Sequence, residues 1–192
     1  MSSIDGRVAR GERTRRAIVD AHTELVREGV LRPTAQLVAD RAGVSIRTLW
    51  SNFSDVEALL QASTRRWLEL DTSWWEPVDP ALPLDERITR FCDRRAARVE
   101  LMAPAARSAA LGEPFSPALR DSRRQHVERL LSDLEHTFGP DLGPRSGARS
   151  AIYAELFVIA SWPTWQTMTE DLALTREQAL AAMTDGFRRL LG

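Results

Sequence analysis

The sequence contains no lysine and only one cysteine, Cys92, among its 192 residues. A single cysteine cannot form a disulfide within the chain, which favours a reducing compartment and predicts a cytoplasmic protein. No apolar run approaches the roughly 18 residues that a membrane-spanning helix needs, and no basic-then-apolar leader opens the sequence. We therefore expect neither a membrane span nor a secretory signal.

Signals of catalysis or of metal binding are also scarce. The three histidines, His22, His126 and His136, are scattered, and the sequence has no glycine-rich phosphate loop, cysteine pair or nucleophile elbow. Asp133 and His136 have the spacing of half a di-iron motif, but the second half is missing. We therefore predict no catalytic site, no metal and no cofactor.

What the sequence does have is helical periodicity along almost its whole length. Apolar residues make up 43% of the chain, enough for a core, and they recur at helical spacing without period-two alternation. The pattern predicts an all-α fold of about nine helices after a flexible arm. The expected segments are an arm at 1–10 and helices at 14–28, 34–42, 45–52, 54–70, 84–102, 104–111, 118–138, 149–169 (with Pro163 inside it) and 175–191, with a loop at 139–147.

Two domains are predicted, an N-terminal one at 1–53 and a larger helical one at 54–192. Residues 1–54 contain nine arginines and six acidic residues, a net charge of +3, whereas residues 55–192 contain 17 and 21, a net charge of −4. A basic N-terminal part on an acidic body suggests a polyanionic partner. The best linker candidate inside the second domain is 76–83, which has three prolines.

The segment 33–53 predicts two short helices joined by a tight turn. Ala39 provides the small residue that a close crossing requires, and Gly43 tolerates the positive φ of a sharp turn. Ser45 can cap the next helix, and Leu49 and Phe53 then point inward. Arg47 and Trp50 are expected on the outer face with Ile46, a helix surface suited to the major groove of DNA. The alternative is an ordinary helical hairpin with a solvated arginine.

This segment resembles the helix-turn-helix of the TetR (tetracycline-repressor) family of regulators. The resemblance covers roughly residues 14–60 and rests on Val38-Ala39, Ala42-Gly43-Val44-Ser45, Thr48-Leu49-Trp50, Asn52-Phe53 and Leu59-Leu60. One position departs from the family: Val56 stands where a phosphate-binding lysine is usual. Trp50 also replaces the usual tyrosine.

The resemblance implies a homodimer that binds a double-stranded DNA operator. Arg47 would contact base edges, Trp50 a phosphate or a thymine methyl group, and Ile46 would add apolar contact. Thr34, Thr48 and Asn52 would form hydrogen bonds to backbone phosphates. The N-terminal arginines would reach phosphates or the minor groove. The predicted DNA-binding residues are Thr34, Ser45, Ile46, Arg47, Thr48, Trp50 and Asn52.

The C-terminal domain is predicted to hold a small, mostly apolar effector and to form the dimer. Its tryptophans and other bulky residues could line a cavity or simply fill a helical core. The predicted ligand-binding residues are Trp67, Phe91, Met102, Phe157, Trp162 and Trp165. The last two long helices are expected to pair with a partner chain, along a stripe of small residues at Ala179, Ala182 and Gly186.

The leading interpretation is a repressor released from its palindromic operator by the effector, without enzymatic activity. One alternative is a DNA-binding protein with no small-molecule switch. Another is a helical-bundle carrier or enzyme whose helix-turn-helix is vestigial.

Overall fold

The computed structural model describes residues 2–73, 76–144, 146–147 and 149–192. Within these residues the secondary structure is helical, without any strand. The nine α-helices are α1 (Ser2–Arg27), α2 (Ala35–Arg41), α3 (Ile46–Asn52), α4 (Val56–Ser73), α5 (Leu84–Gly112), α6 (Pro117–Leu142), α7 (Arg149–Ala160), α8 (Trp162–Gln166) and α9 (Arg176–Leu191). The predicted fold class is confirmed.

The helices form two compact units. Unit 1 contains the described parts of residues 1–73 and 104–123, and unit 2 those of 74–103 and 124–192. Helices α5 and α6 therefore each contribute to both units. The predicted division at residue 53 concerns function, and it stays a prediction.

Unit 1 has its core where α1, α2, α3 and α4 meet. Ile18, Val38, Leu49 and Phe53 are buried there. Helix α1 ends in a Schellman motif: the Gly29 N–H donates to the Val26 carbonyl and the Val30 N–H to the Leu25 carbonyl, with Gly29 at φ +95°. The predicted flexible arm is wrong, because α1 begins at Ser2; once nucleated, a helix gains one hydrogen bond per added residue.

Unit 2 is organised around three phenylalanines, Phe91, Phe138 and Phe187. Their ring centroids lie 5.4 to 5.7 Å apart, in tilted and edge-to-face arrangements. The buried Arg87 donates to the Thr137 carbonyl and to both carboxylate oxygens of Asp141, so its charge is paired inside the unit. None of the helices described is long and apolar enough to cross a membrane.

Three prolines lie at places that the sequence interpretation assigned differently. Helix α5 continues through Pro104, and α6 continues past Pro140 to Leu142, so the predicted break and the predicted start of the loop are wrong. Pro163 does not kink a long helix. It is the second residue of α8, which follows the break at Ser161. A proline inside α7 would clash with the carbonyl four residues earlier, whereas the first turn of a helix accepts it.

The fourth helix, which the sequence predicts from Ser54 with the Ser54 hydroxyl as a possible cap, is instead capped by Asp55. The Asp55 carboxylate accepts a 2.7 Å hydrogen bond from the Ala58 N–H, and the Ser54 hydroxyl donates to that same carboxylate. The sequence pattern that predicts this helix continues beyond residue 70 toward Trp74 and Trp75, which lie outside the described residues.

Candidate nucleic-acid interface

Helices α2 and α3 are joined by the tight turn that the sequence predicts. Gly43 has φ +66°, and the Val44 N–H donates to the Ala39 carbonyl at 3.0 Å. Because Ala39 is fully buried at the crossing, a larger side chain there would push the two helices apart. The turn therefore fixes how α3 is presented by the rest of unit 1.

The start of α3 is fixed by its own side chains. The Ser45 hydroxyl accepts from the Thr48 N–H at 3.1 Å, and it lies 2.8 Å from the Thr48 hydroxyl. Val44, just before the cap, and Leu49, in the first turn, belong to the same apolar cluster and act as a hydrophobic staple. The seven-residue helix is therefore held by a cap at its start and by the buried Leu49 and Phe53 along its inner face.

The outer face of α3 carries two of the predicted DNA-contacting residues. Arg47 is exposed, and Trp50 is 38% exposed although it is one of the largest apolar side chains. Ile46 differs from the expectation that it points outward: it is half-buried and packs against the unit 1 core. The exposed surface is therefore narrower than predicted and centres on Arg47 and Trp50.

The polar residues predicted to contact phosphates also have structural roles. Thr34 caps α2 by accepting from the Leu37 N–H at 3.2 Å, and its hydroxyl proton can still be donated. The Asn52 side-chain amide donates to the Thr48 carbonyl at 2.8 Å, which leaves its second N–H for another partner. Thr34, Asn52, Thr48 and Ser45 therefore all stand at the ends of α2 and α3.

Helix α1 contributes arginines in two different settings. Arg10, Arg13 and Arg16 are exposed, whereas Arg15 is half-buried, with its guanidinium 4.0 Å from the centre of the Phe53 ring. Its Nη1 donates to the backbone carbonyl of Asn52. The sequence interpretation grouped these arginines together, because charge and spacing carry no information about this contact.

Two titratable groups of unit 1 are perturbed by their surroundings. Burial lowers the pKa of His22 to about 4, and its Nδ1 has no hydrogen-bond partner among the described residues. Hydrogen bonds from Arg41 at 2.8 Å lower the pKa of Glu28 and tie α2 to the end of α1. His22 is therefore a buried, neutral side chain of α1 and offers no charge to the surface of unit 1.

Comparison with known proteins finds matches among solved structures. No protein-family model matches the sequence, and no curated protein matches it. A structure from Mesorhizobium loti MAFF303099, provisionally described as a TetR-family transcriptional regulator, is similar with a TM-score of 0.69 and 16% identity over 95% of this chain and 96% of that one. A transcriptional regulator from Rhodococcus sp. Rha1 has a TM-score of 0.68 and 18% identity, over 94% and 95% of the two chains.

The chain has the TetR fold. The structural likeness extends over nearly the whole chain, whereas the residue pattern that resembles the family covers only about 14–60. At this identity the likeness concerns the fold. What each side chain does has to be argued from its surroundings.

The six predicted effector residues of this TetR fold are divided between the two units. Trp67 is buried in unit 1, where the Arg27 guanidinium lies 5.6 Å from the centre of its ring. The other five are in unit 2. Phe91 and Trp165 are buried in its core, Phe157 and Trp162 pack against that core, and Met102 is buried on α5. Their ligand-binding role stays a prediction.

A cleft in unit 2 includes one of these residues. The cleft is narrow, with room for only about 10 Å³ of water-sized spheres, and its walls are Val78, Phe91, Arg94, Arg95, Arg98 and Asp133. Arg98 and Asp133 form a 2.9 Å ion pair across it. Among the residues that the structure describes, no group of three His, Cys, Asp or Glu side chains is arranged to hold a metal.

Proposed function

We propose that this chain is a DNA-binding transcriptional regulator that inserts α3 into the major groove. The observation that carries the proposal is the two-sided character of α3. Leu49 and Phe53 are buried on one side, while Arg47 and Trp50 are exposed on the other. A short, capped helix that presents an arginine and a large aromatic side chain has the dimensions and chemistry of a recognition helix.

In this proposal Arg47 reads a base edge and Trp50 contacts a phosphate or a thymine methyl group. Thr34, Thr48 and Asn52 donate to phosphates around the groove, and Ser45 holds Thr48 in place through their shared hydrogen bond. The half-buried Ile46 contributes at most the edge of its side chain. Phosphate contacts set the orientation of the protein, whereas the base contact supplies the sequence preference.

The regulator would act as a homodimer, because helix-turn-helix proteins read two-fold symmetric operators with two-fold symmetric assemblies. Unit 2 offers a suitable face on the last two long helices. On α7, Ala151, Ala154 and Val158 are exposed at helical spacing, and on α9 Ala182 is exposed. Small side chains allow the close helix approach that a four-helix interface between two copies requires.

The effector would bind in unit 2 and release the operator, making the chain a repressor. The space in the described cleft that water-sized spheres can occupy is about 10 Å³, enough for roughly one water molecule and far below the roughly 300 to 1,000 Å³ typical of ligand sites. An apolar effector would therefore have to displace core side chains such as Phe91. A shift of this kind can reach unit 1 because α5 and α6 both continue into it, and the Glu57 carboxylate of α4 accepts from the Ser116 hydroxyl at 2.8 Å and the Ala118 N–H at 2.6 Å.

The proposal is tested by incubating the purified protein with fragmented genomic DNA and sequencing what it retains. Enrichment of a palindromic sequence, with an affinity that falls as salt rises, is the expected result. Retention of DNA without sequence preference would remove the regulator function. Absence of salt-dependent DNA binding would remove DNA binding altogether. A DNA-binding regulator works where the chromosome is, so a cytoplasmic location is part of the same proposal.

A further inference from the structure

Arg15 has contacts unlike those of the arginines around it on α1. Arg13 and Arg16 are exposed, as expected of side chains that meet DNA phosphates. Arg15 instead lies half-buried against the far end of α3. Its Nη1 donates to the Asn52 carbonyl, and its guanidinium stacks 4.0 Å from the centre of the Phe53 ring.

Both contacts meet a need of the end of α3. The last four carbonyls of a helix have no partner within the helix and carry partial negative charge. Asn52 is the last residue of α3, and Phe53 is its C-cap in an extended conformation. A guanidinium at this point supplies a charged donor to the carbonyl and a cation to the ring face, so it fixes the cap with two interactions of different kinds.

The beginning of α3 is already fixed by Ser45, so Arg15 completes the restraint at the other end. The Asn52 side chain returns to the Thr48 carbonyl at 2.8 Å, which links the clamped end to the first turn. Arg47 and Trp50 lie between the two fixed ends. Their positions therefore depend on both ends being held.

We propose that Arg15 is a positioning residue, a clamp that holds the C-terminal end of α3, and that it does not bind phosphate. The inference rests on the proposed DNA-binding function for its consequence: α3 enters the groove already ordered, so sequence-specific binding does not include the cost of ordering it. The exposed Arg10, Arg13 and Arg16 of α1 are then the candidates for phosphate contacts.

The test compares Arg15→Met with Arg13→Met, since methionine keeps part of the apolar stem and removes the charge at both positions. Affinity for DNA falls as salt rises, and removing a phosphate contact makes this fall shallower. The slope of log affinity against log salt becomes less negative by about 0.9, for operator and unrelated DNA alike. We expect this from Arg13→Met. Arg15→Met should leave the slope unchanged and weaken operator binding roughly five- to tenfold, with a smaller effect on unrelated DNA.

A second measurement needs no DNA. Amide hydrogen exchange in α3 should become faster in Arg15→Met than in the wild type, and it should stay unchanged in Arg13→Met. Arg15→Lys keeps the charge but loses the planar group over Phe53. Its amide exchange in α3 should be faster than in the wild type and slower than in Arg15→Met. Because it is the milder change, it gives the same comparison if Arg15→Met does not fold.

A reduced salt slope together with unchanged exchange in Arg15→Met would overturn the clamp and make Arg15 a phosphate ligand. A wild-type protein that binds no DNA would instead remove the proposed function. In that case the exchange measurement still decides whether Arg15 holds α3.

Discussion

Arg15 and Arg47 are the same residue type in the same small unit, yet they differ in what they can do. The guanidinium of Arg15 is occupied by a backbone carbonyl and an aromatic ring of its own chain. Arg47 is exposed on the outer face of α3, where a guanine edge could reach it. Surroundings, more than charge, therefore decide which arginine is a candidate for base recognition.

Arg47→Ala should lower operator affinity by about 1 to 3 kcal/mol and relax the preference at one base pair in each half-site. A quantitative binding assay on the selected operator and on its single-base variants would measure both effects. Arg90→Ala is the control, since Arg90 is an exposed arginine of unit 2 that pairs with Glu86, one turn away on α5. If Arg47→Ala kept both affinity and base preference, α3 would have a different register in the groove.

His22 should make unit 1 sensitive to acid. Burial lowers the pKa of His22 from about 6.5 in the unfolded chain to about 4 in the folded one. The folded state therefore takes up the proton at a lower pH than the unfolded state does. The contribution of the neutral His22 to the free energy of unfolding is fully present above pH 6.5 and is lost as the pH falls from 6.5 towards 4. At pH 4.5 the loss should be about 2 to 3 kcal/mol.

Urea unfolding of the wild type and of His22→Leu at pH 7 and pH 4.5 tests this prediction. Carboxylates titrate in both proteins, so the difference between them isolates the histidine. The variant should lose less stability on acidification than the wild type. Equal losses would mean that His22 takes up its proton at the same pH in the folded and unfolded states.

At the scale of the elements, local signals were enough for the helix-turn-helix. Thr34, Gly43 and Ser45 each determine the conformation within three or four residues of themselves, so their roles could be predicted from the sequence. The prolines could not be placed in the same way. Whether Pro104 ends a helix depends on how well the packing on both sides compensates one missing hydrogen bond. The contact between Arg15 and Asn52 joins residues 37 apart, which no local pattern reveals.

The start of α4 offers a test of how this element meets DNA. Val56 is the first residue of α4 and is 54% exposed, so it does not brace the helix from within the core. Val56→Lys should steepen the salt slope by about 0.9, equally for operator and unrelated DNA. A cation at a helix N-terminus costs about 0.3 to 1 kcal/mol, so the fold should persist.

Val56→Gln is the matched control, because it adds length and polarity without charge. It should leave the slope as in the wild type, and a melting curve for each variant confirms folding. A folded Val56→Lys protein with the wild-type slope would show that the start of α4 does not approach the phosphates.

At the scale of the whole molecule, the charge follows the two units. Unit 1 has 14 arginines and 12 acidic residues, a net charge of +2, and unit 2 has 12 and 15, a net charge of −3. With this small net charge on unit 1, the proposed DNA affinity would have to come from a few well-placed contacts. The effector residues were harder to predict than this charge pattern, because helical spacing identifies buried aromatic residues without indicating whether a void lies between them.

The dimer prediction also changes with the structure. A side chain at Gly186 would meet the Ile159 side chain of α7 at 3.1 Å, and Ala179 is fully buried in the unit 2 core, so both belong to the packing within one chain. Of the predicted stripe only Ala182 is exposed. Gly186→Arg would therefore disturb the fold of unit 2 and could not report on the partner chain.

Val158→Arg is the sharper test of the dimer. Val158 is an apolar residue, 57% exposed, on the same face of α7 as Ala151 and Ala154. If two copies pair there, an arginine would be buried without a partner, at a cost of several kcal/mol. Sedimentation should show a shift to monomer at concentrations where the wild type is a dimer, with the melting curve of unit 2 kept. Binding to the palindromic operator should fall, while the weaker binding to unrelated DNA remains.

Leu172→Arg, at another apolar position that is 62% exposed, is the control and should stay dimeric. A dimeric Val158→Arg protein would place the interface away from this face of α7.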